Sequence, residues 1–177
     1  MFDKADNVRQ LVRDIPDFPK PGIVFRDITP LLANPEVFEE AIDLLEIPFS
    51  NKVITKVAGI DSRGFLFGMP VAQRLGVGFI PVRKAGKLPH KTVSESFDLE
   101  YGTDSLEIHE DSVTSDDNIL IIDDLLATGG TAAAAAKLFE KCGATVSAIA
   151  FLIELEYLNG YKKLSAYQTY SVLHYFY

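Results

Sequence analysis

Two adjacent carboxylates followed by a loop of small residues are the part of this sequence best suited to chemistry. Asp123 and Asp124 come directly after an apolar run, and the loop Ala127-Thr128-Gly129-Gly130-Thr131 follows them closely. Such a loop lets main-chain N–H groups converge on an oxyanion, and a helix that begins there adds its partial positive charge. The carboxylates can accept hydrogen bonds from sugar hydroxyls. We interpret the stretch as a site for a sugar phosphate.

The residues on either side predict a strand before this loop and a helix after it. The run Ile119-Leu120-Ile121-Ile122 is typical of a strand buried on both faces of a parallel sheet, which should end where the acids begin. Residues 132–141 favour a helix by composition. Ligands of open α/β sheets bind at the carboxyl ends of strands. The alternative is that Asp123 and Asp124 only cap a turn that the glycines make tight.

Two familiar phosphate-binding motifs are excluded. A Walker loop requires a lysine before its Ser or Thr, and here Gly130 precedes Thr131. The dinucleotide fingerprint is also missing, because Gly76-Val77-Gly78 precedes a predicted strand instead of following one. What the stretch does resemble, over its full length, is the phosphoribosyl pyrophosphate (PRPP) motif of the type I phosphoribosyltransferase family.

This resemblance implies a fold and a set of ligand contacts. The fold would be α/β, a mostly parallel central sheet flanked by helices in one domain of residues 1–177, with an N-terminal hood (about 1–34) and a mobile hairpin lid (about 84–109). The loop from Ala127 to Thr131 would hold the 5′-phosphate of PRPP or AMP. Asp123 and Asp124 would bind the ribose hydroxyls and position Mg²⁺ through its ligands and water, without direct coordination.

The N-terminal segment narrows the resemblance to one subfamily. Residues 18–32, Phe-Pro-Lys-Pro-Gly-Ile-Val-Phe-Arg-Asp-Ile-Thr-Pro-Leu-Leu, resemble the hood of adenine phosphoribosyltransferases. By that resemblance Val24, Phe25 and Arg26 line the adenine pocket, with the base stacked on Phe25 and its amino group read by backbone groups. The alternative is a short strand with a buried Phe25 and an Arg26–Asp27 pair.

The formal charge of −8 means that a site for anionic PRPP must supply its own cations. Arg63 follows the predicted strand 57–60, and the resemblance assigns it to a catalytic, pyrophosphate-binding loop that usually holds a cis peptide. Arg63 could instead pair with Asp61 at the surface.

A second group of cations follows the predicted strand 79–82. Arg83, Lys84 and Lys87 match the pyrophosphate-binding run of the family, and His90 contacts the same phosphates or is exposed.

Alternating residues predict a hairpin at 97–109, with its turn at 102–104. As a lid it would exclude water from an oxocarbenium-like sugar. Glu100 and Tyr101 match the lid of the family, and Glu100 is the candidate general acid/base at the purine N7; an exposed strand glutamate is the alternative. The related 6-oxopurine enzymes have an aspartate where this chain has Ala127, which favours Glu100 in this role and adenine as the base.

Other patterns predict supporting elements. The spacing of Val8, Leu11, Val12 and Ile15 predicts one helix, and Asn34 before Pro35 predicts the cap of another. Pro81 suggests that the strand 79–82 is an irregular edge. Residues 145–153 predict a buried strand. The aromatic tail predicts a closing strand, and the sequence assigns its aromatic residues no role beyond packing. Residues 154–160 match the Glu-Leu-x-x-Leu-x-Gly motif of the family, which implies that Leu158 makes an apolar contact to the base. The alternative is that Leu158 belongs to the hydrophobic core.

Composition limits the class of protein. The acidic balance argues against nucleic-acid binding, and the single Cys142 fits a reducing compartment. We find no signal sequence and no apolar run of membrane length, so we expect a cytoplasmic protein without a membrane partner. The resemblance implies adenine, PRPP, AMP and pyrophosphate as ligands, and a homodimer whose lid or basic loop approaches the neighbouring site. A transferase for another base and a non-catalytic PRPP sensor remain alternatives.

Overall fold

The computed structural model of the chain describes residues 3–98 and 102–177, and for Asp98 only the main chain. Glu100 and Tyr101 lie outside these residues. The strands are β1 (Arg13–Ile15), β2 (Phe25–Asp27), β3 (Lys56–Ile60), β4 (Gly78–Lys84), β5 (Thr92–Asp98), β6 (Thr103–His109), β7 (Asn118–Leu126), β8 (Thr145–Leu155) and β9 (Thr169–Tyr175). The α-helices are α1 (Lys4–Gln10), α2 (Thr29–Leu32), α3 (Pro35–Glu46), α4 (Arg63–Leu75) and α5 (Gly130–Lys141). None of the helices in this part of the chain is long and apolar enough to cross a membrane.

One sheet of seven strands, in the order β5-β6-β4-β3-β7-β8-β9, organises the fold. Five neighbouring strands are parallel to one another: β4, β3, β7, β8 and β9. The antiparallel hairpin β5–β6 pairs with β4 only at Arg83 and Lys84. β1 and β2 form a separate antiparallel pair. The predicted α/β architecture, with its mostly parallel sheet, is therefore confirmed.

The central strand β7 is buried on both faces, as its sequence predicts. Leu120 and Ile122 pack in an apolar cluster with residues of α1, α3 and α4, while Ile119 and Ile121 pack in a second cluster with α5. All four side chains are fully buried. Helices therefore cover both faces of the sheet, and β7 carries the acid pair into a rigid environment.

Several local predictions hold and others need correction. The side chain of Asn34 caps α3 by accepting a hydrogen bond from the N–H of Val37 (3.1 Å). Ile15 is not helical, because α1 ends at Gln10 and Ile15 pairs with Phe25 in β1–β2. β4 as a whole lies between β6 and β3, so it is not an edge strand, but β6 pairs only with Arg83 and Lys84. Pro81 therefore lies in a part of β4 that has β3 as its only paired strand, which is an edge locally. β7 also continues to Leu126, so the acids lie within the strand.

A buried carboxylate ties the starts of β3 and β7 together. Asp117 accepts hydrogen bonds from Thr55 Oγ1 (2.8 Å), Lys56 Nζ (2.9 Å) and the N–H of Thr114 (2.8 Å). Burial alone would raise the pKa of Asp117, but these donors outweigh it and lower the pKa to about 2. The ionised carboxylate thus stabilises the register of the two strands that lead to the site.

We expect Asp117→Asn to lower the unfolding free energy at pH 7 by about 2 kcal/mol, because it removes an acceptor of charged and main-chain hydrogen bonds. Since the folded pKa is depressed, this contribution is present above the unfolded value of about 3.9 and is lost as the pH falls towards 2. Denaturant unfolding at pH 7 and pH 3 measures both effects. The exposed neighbour provides the control Asp116→Asn, and equal stability of the two variants at pH 7 would contradict the role of Asp117.

Candidate active site

The acid pair sits at the carboxyl end of β7 with little access to water. The N–H of Asp124 donates to Asp123 Oδ1 (2.9 Å), which fixes the orientation of the first carboxyl. Burial raises the pKa of Asp123 well above its usual range, and the charge of Asp124 raises it further. Burial also raises the pKa of Asp124, although the guanidinium of Arg63 opposes this change. The arrangement is poised to receive a positively charged or hydroxyl-bearing ligand.

Arg63 supplies the positive charge beside this pair. It is the first residue of α4, and its Nε lies 2.9 Å from Asp124 Oδ2. The next residue allows the approach: a Cβ on Gly64 would lie 2.8 Å from the main-chain oxygen of Ile122, so a larger residue would push α4 away from β7. The alternative pairing of Arg63 with Asp61 is not observed.

Asp61 pairs instead with the second cationic segment. Its Oδ2 accepts a hydrogen bond from Arg83 Nε (3.1 Å), and the Asp61–Ser62 peptide is cis. Arg83 also donates to the main-chain oxygen of Lys87 (3.1 Å). The ends of β3 and β4 are therefore joined by an ion pair next to Arg63.

A cavity of about 390 Å³ brings four sequence segments together. These are the acid pair with the start of α5, the loop after β3, the end of β4 and the hairpin. The lining residues are Ile60, Asp61, Ser62, Arg63, Lys84, Phe97, Asp104, Leu106, Asp123, Asp124, Leu125 and Thr131. The cavity is lined by carboxylates and by the cations paired with them, Arg63 beside Asp124 and Lys84 beside Asp104, which suits a ligand that carries both hydroxyls and phosphates.

The basic run contributes unequally to this cavity. Lys84 lines it, and its Nζ lies 3.0 Å from Asp104 Oδ2 on the hairpin. Arg83, Lys87 and His90 are not among the lining residues. His90 is exposed, with its Nε2 4.0 Å from Asp111. Of the four residues predicted from the basic run, the structure thus places one, Lys84, at the cavity that Asp123 and Asp124 also line.

The phosphate loop is packed tightly against a segment far along the chain. Gly129 has φ +76°, and a Cβ there would overlap the main-chain oxygen of Gly160, while a Cβ on Gly160 would overlap that of Ala127. Residues 127–131 surround a small space of about 80 Å³ directly before α5. The loop conformation therefore requires glycine at both contact points.

The hood reaches the site through one aromatic ring. The Phe25 ring centre lies 5.3 Å from the guanidinium carbon of Arg63 and 5.3 Å from the ring centre of Phe18. Phe25 is half-buried, whereas Val24 and Leu158 are exposed. Arg63 thus lies between the aromatic hood and the acid pair.

The side chain of Arg26 points to the C-terminal segment instead of the cavity. It is buried, pairs with Asp14, donates to the main-chain oxygen of Tyr177 (2.9 Å) and lies 4.0 Å from the Tyr175 ring centre. The proposed Arg26–Asp27 pair does not form, because Asp27 pairs with Arg13 (2.6 Å). Only the main chain of Arg26 is left for the base, and the aromatic tail has a role beyond packing.

Comparison with known proteins decides the family. The phosphoribosyl transferase domain matches residues 27–173. Adenine phosphoribosyltransferases of Maridesulfovibrio salexigens and Nitrosococcus oceani are each 54% identical to the chain, covering 94% and 96% of it and 98% and 99% of their own lengths. The chain belongs to the adenine phosphoribosyltransferase family. Among solved structures, the adenine phosphoribosyltransferase of Thermoanaerobacter pseudethanolicus superposes with a TM-score of 0.94 at 50% identity, over 97% of this chain and 99% of its own.

A further relative carries ligands that bear on the site. The Saccharomyces cerevisiae adenine phosphoribosyltransferase, complexed with an imino-altritol bisphosphate and adenine, has a TM-score of 0.91 at 40% identity and covers 96% of this chain and 98% of its own. An adenine and a bisphosphate therefore fit together into this family fold.

Two residues near the phosphate loop were not predicted as part of the site. Gly160 appears in the sequence only as the end of the Glu-Leu-x-x-Leu-x-Gly match, and its contact with Gly129 depends on the tertiary fold. Lys163 lies close by, with its Nζ 3.9 Å from where a Cβ of Gly130 would be. The loop itself contains no cation, and the ammonium of Lys163 places a positive charge beside it. No sequence pattern indicated this lysine.

We expect Asp123→Asn to raise the midpoint of thermal unfolding at pH 7 by about 2–4 °C, or roughly 1 kcal/mol, while abolishing tight PRPP binding. Asparagine can still accept the hydrogen bond from the N–H of Asp124 and removes a buried charge beside a like charge. Calorimetry of both proteins without ligand measures the shift.

The pH dependence gives a second check on the same variant. Because the folded-state pKa of Asp123 is raised, the carboxylate costs stability as the pH rises above the unfolded value of about 3.9. The advantage of asparagine should therefore be small at pH 4 and grow towards neutrality. The exposed Asp111 provides the control Asp111→Asn. A lower midpoint for Asp123→Asn at neutral pH would show that its carboxylate is not a source of strain.

Proposed function

We propose that this chain transfers the phosphoribosyl group of PRPP to adenine, giving AMP and pyrophosphate in purine salvage. The observation that carries the proposal is the position of Arg63, 2.9 Å from Asp124 and 5.3 Å from the Phe25 ring centre. It joins a ribose-binding acid pair to an aromatic base-stacking surface. The family relationship supports the same reaction, and a Trypanosoma brucei relative was solved with AMP, pyrophosphate and ribose-5-phosphate.

The phosphate loop suits the 5′-phosphate. Its small residues leave the N–H groups of 128–131 accessible at the N-terminus of α5, where partial positive charge favours an anion. Asp123 and Asp124 would accept hydrogen bonds from the ribose hydroxyls. The space of the loop and the larger cavity share Asp123 and Thr131, so a phosphate and its ribose can occupy both.

The pyrophosphate would lie towards Arg63 and Lys84. Negative charge grows on this leaving group in the transition state, and fixed cations stabilise it there more than in the ground state. Arg83, Lys87 and His90 would contact the pyrophosphate after closure of the basic loop or from the neighbouring subunit. The second possibility requires a homodimer, which we infer. We also infer that the protein acts in the cytoplasm, because its single Cys142 fits a reducing compartment.

The acid pair also fits a bound Mg²⁺–PRPP complex. The buried carboxylate of Asp124 and the half-buried one of Asp123 lie beside a single guanidinium, so the ionised pair carries uncompensated negative charge that a divalent cation would neutralise. Oxygen ligands are those that Mg²⁺ prefers, and it usually retains several waters, which agrees with contact through ligand and water. When bound, Mg²⁺ neutralises charge on the departing pyrophosphate.

Adenine would stack on Phe25 with Val24, Leu158 and the main chain of Arg26 around it. A main-chain carbonyl accepts a hydrogen bond from the 6-amino group but repels a 6-oxo group, which gives selectivity. N9 of the N7–H tautomer of adenine would attack C1 of the ribose as the bond from C1 to pyrophosphate breaks on the opposite face. Glu100 would accept the proton that N7 loses. Tyr101 and the hairpin would help to exclude water from the oxocarbenium-like sugar.

The direct test is product formation from PRPP and Mg²⁺ with adenine, hypoxanthine, guanine or no base. We expect AMP with adenine and little nucleotide with the oxopurines. Activity with an oxopurine alone would retain the reaction type and reject the base pocket. Tight PRPP binding without turnover on any base would indicate a sensor and overturn the proposal.

Glu100→Gln should lower kcat by about 10²–10⁴-fold with little change in the Kd for PRPP, because it removes one acid/base group and no phosphate contact. Steady-state kinetics and PRPP titration separate the two effects. The exposed Glu110, which follows the hairpin, provides the control Glu110→Gln. Near-normal turnover of Glu100→Gln would assign proton transfer to another group.

A further inference from the structure

Three potential metal ligands converge at the carboxyl ends of β8 and β9, outside the active-site cavity. Glu154 and His174 are opposite each other in the parallel pair β8–β9, and Glu156 lies in the turn that follows β8. His174 Nδ1 is 2.8 Å from Glu156 Oε1 and 3.8 Å from Glu154 Oε2. One ligand atom from each residue lies within 4.8 Å of the others.

The imidazole is oriented in the way that metal-binding histidines are. Its Nε2 lies 3.2 Å from the main-chain oxygen of Ser171, which can only accept, so Nε2 carries the hydrogen. Nδ1 lies 2.8 Å from Glu156 Oε1, which also only accepts, so without a metal ion Nδ1 donates a hydrogen bond to this carboxylate. When an ion displaces that hydrogen, the lone pair of Nδ1 faces the space between the two carboxylates. A histidine that donates one N–H to a carbonyl and offers the other nitrogen is the usual outer-shell pattern of metal sites.

A second outer contact fixes the buried carboxylate. Ser171 Oγ donates to Glu154 Oε2 (2.7 Å), and Glu154 is 7% exposed. Within residues 3–98 and 102–177, neither Glu154 nor Glu156 pairs with a lysine or arginine, in contrast to Asp117 and Asp124. A buried carboxylate requires a compensating charge, and the imidazole supplies one only when it is protonated.

The cluster is accessible to an ion from solvent. It lines a cavity of about 500 Å³ together with Tyr161, Thr169 and Tyr170. The side chain of His174 is 41% exposed and that of Glu156 is 28% exposed. A metal ion could therefore enter with water as an additional ligand.

We propose that Glu154, Glu156 and His174 form a binding site for a divalent transition-metal ion of the zinc type. Imidazole nitrogen and carboxylate oxygen are both ligands that Zn²⁺ accepts, and water can complete its coordination, whereas Mg²⁺ favours oxygen ligands alone. The ion would link the last two strands to the turn that carries Leu158. The site uses none of the groups assigned to PRPP and is independent of the proposed reaction.

The test is calorimetric titration of the full-length protein with Zn²⁺ after treatment with a chelator and its removal. We expect one Zn²⁺ per chain, and an increase in the midpoint of thermal unfolding when Zn²⁺ is added. His174→Gln and Glu156→Gln should each weaken Zn²⁺ binding by about 10–100-fold or more. Changing even an outer-shell partner of a metal site has an effect of this size. His90→Gln is the matched control, since it removes an exposed imidazole elsewhere and should retain the site.

The main alternative is a protonated His174 that forms ion pairs with both carboxylates. In that case the wild-type protein would show no stoichiometric Zn²⁺ binding, and His174→Gln would lower the unfolding midpoint equally with and without Zn²⁺. That result, or undiminished Zn²⁺ binding in both variants, would overturn the proposal. Circular dichroism verifies folding, and Glu156→Gln, which alters only a turn residue, provides the test if His174→Gln does not fold.

Discussion

The site depends on two neighbouring carboxylates, Asp124 buried and Asp123 half-buried, beside a single guanidinium. Burial and mutual repulsion disfavour ionisation of Asp123 and Asp124, and Arg63 offsets only part of this cost. The pair persists because β7 is held between β3 and β8 and packed by helices on both faces. A rigid scaffold thus maintains an unfavourable charge arrangement that becomes favourable when a ligand brings hydroxyls and a cation.

Two close approaches of backbone make this arrangement possible. At Gly64, α4 comes near enough to β7 for Arg63 to reach Asp124, and at Gly129 the phosphate loop lies against Gly160. At each glycine, main chain contacts main chain directly because no side chain lies between them. These contacts position the loop and the helix end more precisely than a flexible side chain could. The segment 156–160 therefore connects Leu158 at the proposed base pocket with the phosphate loop.

Sequence patterns predicted the features that depend on short stretches. The buried strand β7, the Asn34 cap and the hairpin each follow from local composition, and the α/β fold follows from their order and the family motif. Ion-pair partners were not predictable, because Asp61 and Arg83 come from different strands and Asp14 and Arg26 from a strand pair separated by a long loop. Pro81 correctly indicated an edge for its own part of β4, but the pairing of the hairpin with the end of that strand was not predictable, because it is set far along the chain.

The C-terminal strand shows how residues without a motif support the site. The Tyr175 ring lies 4.0 Å from the guanidinium carbon of Arg26 and 5.0 Å from that of Arg9, and Arg9 donates to the main-chain oxygen of His174 (3.3 Å). Such contacts of a cation with an aromatic face are stronger when water is excluded. Because Arg26 is adjacent to Phe25, fixing its side chain against β9 restrains the ring that faces Arg63. The proposed base-binding surface is therefore supported by the last strand of the sheet. A change in the packing of β9 would act on this surface without any direct contact with the base.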